Sequence, residues 1–294
     1  MSAQPAFAAP PSPAFPSRFV DVDGVRLHYL DEGVGPALFM LHGNPTSSFL
    51  YRHVIGALRD AFRCVAIDLP GFGLSDIPDR FSFLPEDHAR YVGRFLEILG
   101  LRDATLVAHD WGGPIGLAAA LARPEALTRF ALGNSWAWPV NGDFHFEWFS
   151  RLMGGPVGRF GARRFGMFVE LFIPGGLRRG RPAPEVMDAY RAPFRDRRRR
   201  EGTHVFPREI IAGREFLGGI ERKLGRLKGA PVLFVWPDAD IAFREKELRR
   251  WLTYFPDARV ERIARCGHFL WEEAPDEAVA AIRRWAAGAG RAGG

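Results

Sequence analysis

At 294 residues, 47% of them hydrophobic, the chain carries enough apolar side chains for one large domain or for a core with an insertion. Its 40 Lys and Arg against 34 Asp and Glu leave +6 at pH 7, but no basic stretch is interleaved with aromatics as nucleic-acid binders require, so no nucleic-acid partner is expected. No apolar run approaches the roughly 20 residues that cross a bilayer, and there are only two cysteines, which together point to a cytoplasmic protein with reduced thiols and no membrane partner.

Residues 1–17 are rich in Pro and Ala without the basic start and apolar centre of a signal peptide, and read as a disordered leader. Phe19 to Val22 and Val25 to Leu30 alternate around Gly24 and predict an antiparallel hairpin. Ala37 to Leu41 is a short unbroken apolar run, the pattern of a strand buried on both faces, followed by the polar loop His42-Gly43-Asn44-Pro45-Thr46-Ser47-Ser48 and a helix over Phe49 to Leu58. Cys64 to Leu69, Thr105 to Ala108 and Phe130 to Asn134 predict further strands, with a helix over Pro85 to Leu99. Strands and helices thus alternate, which predicts an α/β fold with a mostly parallel central sheet flanked by helices.

After Asn134 the alternation stops. Residues 136–224 are rich in Trp, Phe, Arg, Gly and Pro, with helical stretches such as Phe160 to Phe172, and read as an inserted helical cap. Within it the run Arg195 to Arg200, broken only by Asp196, reads as a solvated face. Pro231 to Trp236 resumes the sheet, Arg244 to Phe255 predicts a helix, Arg259 to Ile263 a last strand and Pro275 to Ala287 a closing helix. The expected organisation is therefore a leader over 1–17, a first core part over 18–135, the cap over 136–224, a second core part over 225–287 and a flexible tail over 288–294.

The stretch Leu106 to Gly116 holds the chemistry. An apolar strand-like run breaks at Ala108-His109-Asp110-Trp111-Gly112 and resumes as a helix-like run, so Ala108 and Gly112 occupy the small positions of a nucleophile elbow with Asp110 at its apex. A carboxylate there can attack an sp3 carbon bearing a leaving group and form an ester that water must break. The plainer reading is an Asp that caps a helix. Further along, Asp238 or Asp240 and then His268 each follow an expected strand, so nucleophile, acid and base stand in the chain order used by α/β-hydrolases.

With those residues in view, the chain closely resembles haloalkane dehalogenases. The matching motifs are His42 to Ser48, Asp68-Leu69-Pro70-Gly71-Phe72-Gly73-Leu74-Ser75-Asp76, and His109-Asp110-Trp111-Gly112-Gly113, within a likeness that spans Asp21 to Trp285. The resemblance implies an α/β-hydrolase fold and Asp110 as nucleophile. It makes His268 the base that activates water, and Asn44 and Trp111 the halide-binding pair whose backbone N–H groups also form the oxyanion hole. Members of this kind read Trp-Gly-x-x-Asp where this chain has Trp236-Pro237-Asp238-Ala239-Asp240, so the resemblance selects Asp240 as the acid despite the proline at 237. It implies a small apolar halogenated substrate, halide as product and the subgroup with an Asn–Trp pair and an Asp acid; an oligomer is compatible with it. The remaining histidines show no metal-ligand spacing, so no metal or other cofactor is expected, and His42 and His109 read as supports for the site loops.

The same elbow serves epoxide hydrolases, which need proton donors that are usually two cap tyrosines; this cap offers Tyr190 alone. Fluoroacetate-type dehalogenases carry Arg after the nucleophile, where Trp111 stands here. A cofactor-free monooxygenase would retain the same residues, and a non-catalytic ligand-binding protein on this fold is the alternative from a different class. Among the cap aromatics Trp136, Trp138, Trp148, Phe149, Phe165, Phe168 and Phe172, half are expected to line an apolar pocket and the rest to pack the cap onto the core.

Overall fold

The structure, a computed structural model, describes residues 15–289. Strands β1 (Arg18–Val22) and β2 (Val25–Glu32) form the expected hairpin, turning at Asp23 and Gly24, both at positive φ. The others are β3 (Ala37–Leu41), β4 (Arg63–Ile67), β5 (Ala104–His109), β6 (Leu127–Gly133), β7 (Val232–Pro237) and β8 (Arg259–Ile263). They join in one sheet in the order β1-β2-β4-β3-β5-β6-β7-β8, in which β2 meets β4 antiparallel and the strands from β4 to β8 run parallel.

Period-two alternation divides the apolar side chains of this sheet between two cores. Phe39, Leu41, Val65, Ile67, Leu106 and Ala108 face one side, where they meet α2 (Pro85–Ile98), α3 (Gly112–Ala122) and α10 (Glu245–Tyr254). Leu38, Met40, Cys64, Ala66 and Val107 face the other, against α1 (Arg52–Leu58), α11 (Leu270–Glu273) and α12 (Pro275–Ala289). Burial on both faces explains why these strands read as unbroken apolar runs.

Between β6 and β7 the described elements are all helical. They are α4 (Phe144–Met153), α5 (Pro156–Phe165), a π-helical turn (Phe168–Phe172) running into the short α6 (Ile173–Gly175), α7 (Pro184–Arg191), α8 (Arg200–Ala212) and α9 (Arg214–Glu221), with 3-10 turns at Ala192–Arg195 and Leu224–Leu227. The single helix expected over Phe160 to Phe172 is two pieces, because Gly166 takes the left-handed conformation, φ 65°, and ends α5.

The arginine run is only partly solvated. Arg199 is buried and its guanidinium donates to the carbonyls of Gly73 and Ser75 at 3.3 and 2.7 Å, pinning the start of α8 to the loop after β4. The leader expected over 1–17 falls outside the described residues up to residue 14. Phe15 packs against the second core, and the Ser17 hydroxyl is hydrogen-bonded to the His28 ring at 3.1 Å, so these two belong to the fold. The flexible tail expected from 288 overlaps α12, whose helix runs through Ala289; residues 290–294 lie outside the described residues.

Candidate active site

Asp110 stands between the end of β5 and the start of α3 at φ 51°, a left-handed backbone that a non-glycine residue holds only when its surroundings enforce it. The enforcement is visible in the contacts. The Asp110 N–H donates to the Asn134 carbonyl at 3.0 Å, and its own carbonyl accepts the Ser135 hydroxyl at 2.8 Å. A Cβ at Gly112 would collide with the Leu41 carbonyl of β3, and one at Gly43 with the Asp110 carboxylate itself, so close approach of three chain segments demands both glycines.

The Asp110 carboxylate is buried and directionally held. Its Oδ1 accepts the Asn44 N–H at 2.7 Å, and the Trp111 N–H also favours the ionised carboxylate. Burial pushes its pKa above the usual carboxylate range, against the opposing pull of His268 and of the two N–H donors. Its Oδ2 lies 3.9 Å from His268 Nε2, beyond direct hydrogen-bond reach.

His268 Nδ1–H donates to Asp240 Oδ2 at 3.0 Å, which leaves Nε2 as the ring nitrogen turned toward Asp110. Burial would lower the His268 pKa, but the Asp240 charge, its hydrogen bond and the Asp110 charge outweigh that and raise it. Asp240 is buried too, which alone would raise its pKa. The His268 charge and hydrogen bond, the Asn134 side-chain amide and the Ala242 N–H at 2.7 Å hold it below the usual range. Asp238, the other carboxylate of that loop, is exposed and makes its backbone bond to Ile263.

Asn44 and Trp111 border the same cavity as Asp110. The Asn44 side-chain nitrogen donates to the Thr203 carbonyl of α8 at 3.1 Å, and because a carbonyl can only accept, that contact fixes which way the amide points. The Thr203 carbonyl is open to this bond for a local reason: four residues on stands Pro207, inside α8 and without an N–H to give it. Trp111 is buried, with Trp136 edge-on at 4.7 Å and Phe206 stacked at 5.3 Å on its ring.

The cavity above the carboxylate has a volume of about 440 Å³. Of the aromatics singled out in the cap, Trp136, Phe149, Phe168 and Phe172 line it, Trp138 packs on Trp251 and Tyr254, and Trp148 and Phe165 are exposed. Among the described residues, no Arg or Lys lines it.

Residues 36–275 match the family described as alpha/beta hydrolase fold. The chain is 42% identical over 270 residues to haloalkane dehalogenase 2 of Mycobacterium tuberculosis, covering 91% of this chain and 94% of that one. The chain belongs to the haloalkane dehalogenase family. The crystal structure of haloalkane dehalogenase DbeA from Bradyrhizobium elkani superposes with a TM-score of 0.86 at 28% identity, covering 94% of this chain and 99% of the other. A further relative, at 31% identity over 290 residues and covering 92% of this chain and 88% of its own length, is the cis-3-alkyl-4-alkyloxetan-2-one decarboxylase of Shewanella oneidensis.

In this dehalogenase-family enzyme all five residues singled out from the sequence, Asn44, Asp110, Trp111, Asp240 and His268, meet at one cavity. Tyr190, the tyrosine that an epoxide hydrolase would need in its cap, is turned elsewhere: its hydroxyl donates to Glu272 at 2.6 Å and its ring packs edge-on against Phe49. His42 Nε2 accepts the Leu69 N–H at 3.0 Å while Nδ1–H donates to the Gly43 carbonyl at 2.9 Å, and His109 Nε2–H donates to the His268 carbonyl at 2.9 Å. Burial lowers both pKa values, that of His109 to about 3, so both rings stay neutral as loop supports. Sequence reasoning passed over Asn134, Ser135, Thr203 and Pro207. The one signal available was a proline inside a helix-like run.

Proposed function

We propose that the enzyme hydrolyses carbon–halogen bonds of haloalkanes through an ester on Asp110. The observation that carries this reading is the split held on one carboxylate: Oδ1 sits against the Asn44 N–H, whereas Oδ2 faces the cavity and His268 without a hydrogen bond from it. Oδ2 attacks the carbon, the carbon–halogen bond breaks, and the halide departs toward the Asn44 amide and the Trp111 indole N–H. Neither donor needs to give up a proton, because a halide leaves as a stable anion.

The second half-reaction adds water to the carboxyl carbon of the ester. His268 Nε2 takes the water proton and Asp240 stabilises the resulting imidazolium, while the charge that develops on Oδ1 falls to the backbone N–H groups of Asn44 and Trp111. The carbon–oxygen bond to Oδ2 then breaks, releasing an alcohol and a proton and restoring Asp110.

His268→Phe separates the two halves. One bromide per site is expected from 1-bromobutane, with the butyl mass retained on Asp110 in the intact protein; sustained turnover in this variant rejects the assignment.

A second reading is favoured by the oxetanone decarboxylase relative. C4 of an oxetan-2-one is also an sp3 carbon, and its leaving group is the ring carboxylate. Opening by Asp110 would give an ester that loses CO2 as the alkene forms and Asp110 returns, with no water to activate. His268→Phe should therefore spare alkene release from such a lactone while blocking bromide turnover, so the one variant discriminates between the two reactions.

A further inference from the structure

Exposed apolar side chains are gathered on one part of this molecule. Apart from Val34 and Ile98, every large hydrophobic residue that is largely exposed among the described residues belongs to the helices between β6 and β7 or to the cavity rim. Among them are Phe144 and Trp148 on α4, Phe160 and Phe165 on α5, and Leu171 and Ile241, all more than half exposed. Leu171 and Ile241 also line the cavity, so the patch begins at its mouth. On α4 the neighbouring stripe His145, Phe149 and Met153 lines the cavity, while Phe144 and Trp148, one turn apart, point outward beside it.

The charge excess lies in the same region. Residues 144–201 hold thirteen arginines and six carboxylates, a net +7 where the whole chain carries +6. On α5, Arg159, Arg163 and Arg164 form a groove with Phe160 and with Arg197. Glu201 reaches Arg159 at 3.3 Å and Arg163 at 3.7 Å, and neither Arg164 nor Arg197 has a carboxylate partner among the described residues.

We propose that this face, built on α4, α5 and the arginine groove, docks on an anionic lipid bilayer with the cavity mouth turned toward the membrane. Exposed Trp and Phe beside arginines are what the interfacial zone accepts, the rings at headgroup level and the guanidiniums on phosphate. A second copy is the poorer occupant, because a two-fold contact would set the same arginine excess against itself. The expectation of no membrane partner came from the missing span. No described helix is long and apolar enough to cross a membrane, and a peripheral face needs none. Delivery of bilayer-dissolved haloalkane to Asp110 rests on the function proposed above; the docking itself does not.

Flotation of the full chain with vesicles of mixed phosphatidylglycerol and phosphatidylcholine, without haloalkane, tests the proposal. The chain should float with these vesicles at low salt, float little at high salt, and remain behind with phosphatidylcholine alone. Trp148→Glu with Phe160→Glu should abolish flotation, and Arg163→Gln with Arg164→Gln should lower the partition coefficient roughly thirtyfold. Both pairs lie outside the cavity lining and should keep bromide release from dissolved 1-bromobutane, which shows that they fold. Absence of flotation with anionic vesicles at low salt overturns the proposal, as does flotation that neither pair changes. So does a concentration-dependent dimer, abolished by the Trp148 and Phe160 changes, in a chain that does not float.

Discussion

In the proposed reaction, esterifying Asp110 changes the base that must finish it. In the free enzyme the raised pKa of His268 reflects two negative neighbours, Asp240 at hydrogen-bond distance and Asp110 at 3.9 Å, acting against burial. Once Asp110 is an alkyl ester its charge is gone and only Asp240 holds the proton on, so the His268 pKa falls when a neutral imidazole is needed. The signs then set the pH profile. Attack requires ionised Asp110, whose pKa burial raises above the ordinary carboxylate range, so the first step is lost as pH falls through that raised pKa. Ester hydrolysis requires neutral His268, and an imidazole ordinarily takes up its proton well above the pH at which a carboxylate does, so this step fails first. As pH is lowered, steady bromide release should decline while the one-per-site burst persists and the alkyl-enzyme builds up, measurable by quenched flow with intact-protein mass. Burst and steady rate that decline together across the whole range would show that one group governs both steps.

Helix α8 illustrates what a sequence conceals about a site. Its Pro207 denies Thr203 the usual intrahelical partner, and the freed carbonyl holds one N–H of Asn44, leaving the other for the cavity. Pro207→Ala restores the N–H that competes for that carbonyl. The variant should be more stable, since proline in a helix interior costs about 3 kcal/mol, yet cleave the carbon–bromine bond roughly ten- to a hundredfold more slowly because the donor is no longer aimed. A raised melting temperature with an unchanged single-turnover bromide burst would dismiss the positioning role; Asn44→Ala gives the limit of the effect. The elbow was legible because small residues flank Asp110 and the polarity pattern changes from strand to helix around it. Asp240 was legible only through spacing shared with relatives. Asn134 was not, because its bond to Asp240 exists only once β6 lies beside β7, 106 residues later in the chain. Likewise Arg199 reads as one more surface charge until the Gly73 and Ser75 carbonyls close over it.

Across the described residues the positive charge lies outside and the cavity within is apolar and acidic at its floor, with Asp110 and Asp240 beside His268 and no Arg or Lys in the described lining. Besides His268, whose charge is already matched by Asp240 and Asp110, the lining holds His145, whose pKa is lowered by burial and then by Arg244, against the pull of Asp143. An anionic substrate is therefore attracted to the cap at long range but meets no fixed positive charge at the nucleophile, and must shed its hydration to enter. A neutral haloalkane pays no such penalty and gains from the aromatic walls. At low ionic strength 1-bromobutane should exceed 4-bromobutanoate in kcat/KM by on the order of a hundredfold or more, the cost of burying an unpaired carboxylate being at least a few kcal/mol. The ratio should change little with salt if the cap charge acts only on approach. Equal efficiency for the two substrates would require a cation to reach the cavity in the bound state, and Arg244, stacked over Phe146 at its wall, is the residue to replace first.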